Sequence, residues 1–101
     1  MAADDYLSVL RVVENLPFPV GRKLLCDVVR GDETRESVQR NRLHKLDGFG
    51  SLYLYTADEV DELIGRLIGR GFLQSTKVIG KGWSVLEISA KGKEELESPQ
   101  G

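Results

Sequence analysis

A small α+β domain, mostly helical with one short strand and a C-terminal β-hairpin, is the fold class these residues predict. Three observations carry the prediction. Val60, Leu63, Ile64, Leu67 and Ile68 recur at i, i+3, i+4, i+7 and i+8, the apolar stripe of an amphipathic helix. Ahead of the stripe, Thr56-Ala57-Asp58-Glu59 has the form of a capping box, in which threonine and glutamate each satisfy an amide of the first turn. Beyond it, runs 73–78 and 83–88 flank Ile79-Gly80-Lys81-Gly82, whose glycines admit the positive φ of a hairpin turn.

In chain order, residues 4–15 form a first helix, started by Asp4 or Asp5, with Tyr6, Leu7, Leu10 and Val13 on one side. Leu16-Pro17-Phe18-Pro19 ends it, because proline disfavours helix in the preceding residue. A second helix spans about 21–29, burying Leu24, Leu25, Val28 and Val29, and stops at Arg30-Gly31, where Gly31 can take the left-handed C-terminal conformation. Asp32 then caps a short third helix to about Asn41, and Leu43 and Leu46 return the chain to the core. Asp47-Gly48-Phe49-Gly50 is a turn. Residues 51–55 read as a short strand, Leu52 and Leu54 alternating with Tyr53 and Tyr55. The striped helix follows, closed by Gly71 with Phe72 tucked behind it, then the hairpin and a last helix from about Ser89 that docks Leu96. This order is the winged helix-turn-helix plan, the hairpin being the wing. The expected division is an N-terminal helix over 1–16, a winged-helix body over 17–97 and a disordered tail over 98–101.

Composition removes several function classes. Lone Cys26 excludes an internal disulfide and a cysteine cluster, and its apolar run points to a buried, inert thiol. His44 is the only histidine, and no P-loop, nucleophile elbow or dinucleotide fingerprint is present. No catalytic residue, metal or cofactor is therefore expected, and these 101 residues carry no ATPase motif. No apolar run reaches the ~20 residues of a membrane span. The sequence marks no oligomerisation surface, so a monomer is expected. Lys and Arg number 14 against 16 Asp and Glu, a net charge of −2. The distribution matters more, since a phosphate backbone responds to local patches. Arg35, Arg40, Arg42 and Lys45 face one acid, Glu36; Arg66, Arg70, Lys77, Lys81, Lys91 and Lys93 face only Glu87 across 63–93. Acid gathers instead at Asp58, Glu59, Asp61 and Glu62, and at Glu94, Glu95 and Glu97.

Three anchors stand in order: Arg30-Gly31, Phe49-Gly50, and Leu67-Ile68-Gly69-Arg70-Gly71-Phe72-Leu73. With Pro19-Val20-Gly21 before them and Leu86-Glu87-Ile88-Ser89-Ala90-Lys91-Gly92 after, residues 17–96 resemble the RQC domain of RecQ-family helicases. The resemblance implies a non-catalytic DNA-binding winged helix, selective for duplex ends and forks, that assists strand separation by a helicase in DNA repair, replication and recombination. It implies a cytoplasmic, nucleoid-associated location in a bacterium and a nuclear one in a eukaryote. By position it makes Arg30 a phosphate contact, lays Ser51-Leu52-Tyr53 against the DNA backbone and makes 77–83 the wing. Two departures stand out. Tyr53 occupies the place of a family lysine, and Trp83 sits one position from the wing aromatic of some members, with glycine at the aligned place. The helicase motor and zinc module that accompany the domain in many relatives are not in this sequence; as part of a longer chain it would partner a helicase core.

The DNA-binding candidates are thus Arg30, Ser51, Tyr53, Lys77, Lys81 and Trp83. Trp83, at the hairpin end, either stacks on a splayed base as a strand-separating wedge or covers the root of the wing. Lys77 and Lys81 either meet phosphates or solubilise the wing, and Arg30 either meets a phosphate or the negative end of its own helix. The acidic first turn of the striped helix complements its dipole and would repel phosphates, so that helix is not expected to read bases. Two alternatives remain beside DNA binding: a protein-interaction winged helix using the acidic helix face, and a sequence-specific transcription regulator.

Overall fold

The computed structural model describes residues 4–100. The expected N-terminal helix and C-terminal tail begin and end outside them, at 1–3 and 101. The elements are α1 (Asp5–Asn15), α2 (Arg22–Arg30), α3 (Glu36–Arg40), a 3₁₀ turn (Leu43–Lys45), α4 (Ala57–Gly69), β1 (Leu73–Lys77), β2 (Ser84–Ile88) and α5 (Ala90–Glu97). This is the expected α+β winged helix. The core is one apolar cluster: Val9, Leu10 and Val12 of α1, Leu25, Val28 and Val29 of α2, Val38 of α3, Ile64 and Leu67 of α4, and Phe72, Leu73 and Leu86 at the root of the hairpin.

Each boundary has a local cause. On α4, Thr56 Oγ accepts from the Glu59 amide at 3.1 Å and the Glu59 carboxylate accepts from the Thr56 amide at 2.9 Å, the reciprocal bonds the sequence predicts. Its far end closes by Gly71 N–H donating to Ile68 and Phe72 N–H to Leu67, which delivers Phe72 to the core. β1 and β2 pair antiparallel from Leu73 opposite Ile88 to Lys77 opposite Ser84. A single bridge adds Val20 to the outer edge of β2, with Leu86 N–H donating to Val20 at 2.8 Å. Ser89 caps α5, accepting from the Gly92 amide and donating to the Phe72 carbonyl. Gly92 is obligatory there: a Cβ would lie 2.2 Å from the Phe72 oxygen.

Two local expectations are corrected. Asp32 does not cap α3; its carboxylate accepts from the amide and hydroxyl of Thr34, a turn of its own, and the helix begins only after Arg35. Residues 51–55 are not a strand. Ser51, Tyr53 and Tyr55 donate their amides to Gly48, Gly50 and Leu52, three residues back, so the segment is a chain of tight turns. The periodicity is accordingly three and not two: Leu52 is buried, Tyr53 and Leu54 are 69% and 78% exposed, and Tyr55 turns back so that its hydroxyl donates to Asp5 at 2.7 Å.

The interior holds one buried charged side chain among the described residues, Glu95, which accepts from the Tyr6 hydroxyl and from the Gln100 amide. Tyr6 also stacks on Phe72, ring centroids 6.2 Å apart, so α1, α5 and the root of the hairpin meet at one point. Cys26 is buried as expected; burial, then Asp27, pushes its thiol pKa up, so it stays protonated and unreactive.

Candidate nucleic-acid interface

The six candidate residues fall into two groups on different parts of the molecule. The first surrounds the end of α2. Gly31 (φ 80°) and Gly50 (φ 73°) meet backbone to backbone: a Cβ on Gly31 would lie 3.0 Å from the Gly50 Cα. Each glycine has a left-handed φ that side chains disfavour, and at Gly31 a Cβ would also press on the Gly50 backbone. The approach lets the 47–55 loop complete α2, with Gly50 N–H donating to Val28 at 2.9 Å and Leu52 N–H to Val29 at 2.8 Å. The Val29 carbonyl thereby gains a partner, and the Val28 carbonyl, already bonded to the Gly31 amide, gains a second. Ser51 and Tyr53, both exposed, are held on the outside of this seam.

Arg30 has a role sequence reasoning did not foresee. Its Nε donates to the Tyr55 carbonyl at 3.0 Å, fastening the far end of the same loop. That bond uses one of the five guanidinium donors. The side chain remains partly exposed.

The second group is the wing. Val78 N–H donates to Trp83 O and Lys81 N–H to Val78 O, extending the ladder into a tight tip with Gly80 at φ 77°. The tip stands clear of the body. Ile79 is 98% exposed, and a Cβ on Gly80 or Gly82 would meet nothing within 4 Å. Trp83 is 58% exposed, so it does not seal the root of the wing, which Leu73, Leu86 and Phe72 fill instead. The Lys81 ammonium lies 5.7 Å from the indole centroid, a cation–π contact, and neither Lys77 nor Lys81 forms an ion pair among the described residues.

Elsewhere many charges are already spent. Arg35 binds Asp27 at 2.6 Å and Arg40 pairs with Glu36, which leaves Arg42 and Lys45 as the exposed cations of the 35–45 patch outside an ion pair among the described residues. Arg42 is the one described non-glycine residue with positive φ, 55°. His44 contributes little to that patch, its Nδ1 being buried without a hydrogen-bond partner. On α4, Asp61 holds Arg22 of α2 and Glu62 holds Arg66. Arg22 lies across α4 at Gly65, where a Cβ would come within 2.8 Å of its guanidinium. Thr56 and Glu59 are thus committed to capping and Asp61 to the α2–α4 contact, while Asp58 stays exposed.

No group of three or more His, Cys, Asp or Glu side chains is placed to hold a metal ion among the described residues, and no described helix is long and apolar enough to cross a membrane. The family model for the RQC domain matches residues 2–100, nearly the entire chain. None of the curated proteins matches the sequence.

Proposed function

The chain belongs to the RQC domain family, non-catalytic DNA-binding accessory domains of RecQ helicases, and on that premise we propose that it grips duplex DNA at an end or fork and assists strand separation. The observation that carries the reading is the wing: an indole more than half exposed, a stacked ammonium beside it, and a second ammonium with no carboxylate partner, all on a hairpin that stands free of the body. Lys77 and Lys81 supply the charge that neutralises phosphates, and Trp83 supplies the flat apolar surface that pays for an unstacked base pair. Arg30, Ser51 and Tyr53 form a second, shallower contact on the backbone away from the opened end.

On this reading α4 does not read bases, because its acidic first turn would repel phosphates, and selectivity is for DNA structure and not for sequence. Trp83 is the sole tryptophan, which makes its emission a direct reporter. Titrating forked, single-stranded and blunt DNA at low and moderate salt should change that emission most for the fork, with affinity falling steeply as salt rises. Unchanged emission with all three, together with no shift in a gel, would leave the protein-partner reading in its place. The specific observation favouring that second reading is the exposure of Tyr53 and Leu54 near the acidic start of α4.

A further inference from the structure

The loop assigned to the DNA backbone carries no cation of its own. From Leu46 to Tyr55 the chain has one Asp and no Lys or Arg, so Ser51 and Tyr53 offer a phosphate only hydroxyls. A hydroxyl donates a hydrogen bond but neutralises no charge, and charge neutralisation supplies much of the affinity for a duplex. Immediately before this loop, in the 3₁₀ turn, stand Arg42 and Lys45.

That turn sorts its side chains by chemistry. Lys45 N–H donates to the Arg42 carbonyl at 3.0 Å, and a turn closed in this way holds its end Cα atoms within about 7 Å of each other. Between them Leu43 is buried and His44 Nδ1 is enclosed, whereas Arg42 and Lys45 are both exposed. Neither forms an ion pair among the described residues, with nearby Asp47 or with any other acid. Arg42 also holds φ 55° and ψ 32° just past the end of α3, a conformation that glycine or asparagine adopts more readily. A purely structural use for it is a cation at the negative end of α3. That helix has only five residues, and Arg40 already stands in its last turn. Two further tight turns, Phe49 N–H on Leu46 and Ser51 N–H on Gly48, join the cations to the loop in one short stretch of chain.

We propose that Arg42 and Lys45 are a phosphate-binding pair that holds the duplex backbone together with Ser51 and Tyr53, supplying the charge this loop lacks. The inference rests on the DNA-binding reading above and adds to it a site on the body that grips the backbone.

The test measures binding of a labelled forked duplex by anisotropy over a range of salt, with the parent chain, Arg42→Asn, Arg42→Lys, Lys45→Ala and Lys93→Ala. Arg42→Asn and Lys45→Ala should each lower the slope of log affinity against log salt by about one, and together by about two. Arg42→Lys keeps the charge and should keep the slope. Lys93, an exposed cation of α5, should leave the slope unchanged on removal. Asparagine accepts a left-handed φ, so the unfolding midpoint of Arg42→Asn should equal or exceed the parent's. A parental slope in Arg42→Asn and Lys45→Ala would overturn the pair, and a lowered midpoint beside it would make Arg42 a helix-end charge. An equal loss of slope in Lys93→Ala would also overturn it, since the slope would then follow net charge and not a contact. Absence of binding by the parent would instead remove the DNA-binding reading itself.

Discussion

The end of α2 and the tip of the wing both carry candidate DNA contacts, yet they are built on opposite terms. Around α2 every part is over-determined: two glycines in backbone contact, two loop amides on helix carbonyls, and an arginine fastening the loop. At the wing tip a four-residue turn is held by two backbone bonds and by Lys81 lying over the Trp83 ring. The difference teaches how a small domain divides labour. A contact that positions the protein needs a rigid seat, whereas one that enters a duplex end has to stand clear of its own body. Exposed apolar area at the tip is tolerable because it is small and confined.

The sharpest way to break this comparison is to place the same side chain on both sides of it. Gly31→Ala meets a left-handed φ and the Gly50 backbone together, and should cost about 2–4 kcal/mol, read as a lower midpoint in urea. Gly80→Ala meets only the φ penalty in open space and should cost about 1–2 kcal/mol. Equal losses would mean that the α2 seam is not the tighter of the two. A smaller effect should follow from Tyr53→Lys, which restores the family's cation on the rigid seat. Tyr53 is 69% exposed, so stability should hold while the salt slope of DNA binding steepens by about one.

The smallest expected effect is a pH dependence away from both regions. The amide and then the hydroxyl of Thr56 hold the Glu59 carboxyl below its ordinary pKa, and the hydroxyl and then the amide of Thr34 do the same for Asp32. A lowered folded pKa means the stabilisation is complete above the ordinary carboxylate range and disappears as pH falls through the lowered values. Thermal midpoints should therefore drop in acid, and Glu59→Gln with Asp32→Asn should flatten that drop. Glutamine still serves a capping box, so the helix start itself should survive. Midpoints whose acid dependence is the same in parent and double variant would assign the titration to other groups.

Residue order alone determined α4, its capping box, its closing glycine and the hairpin, because those depend on bonds within a few residues and on a long apolar stripe. It also marked Gly31 and Gly50 as anchors without revealing that they touch. The 51–55 segment was misread because Leu-Tyr-Leu-Tyr alternates by composition, while its conformation is set by amides reaching back three residues and up to the end of α2. Glu95 was visible only as one of an acidic cluster; its burial on Tyr6 comes from packing α5 against α1. Tertiary structure likewise decided which cations are spent in ion pairs and that Trp83 is exposed. Such facts depend on neighbours distant in the chain, and no local pattern encodes them.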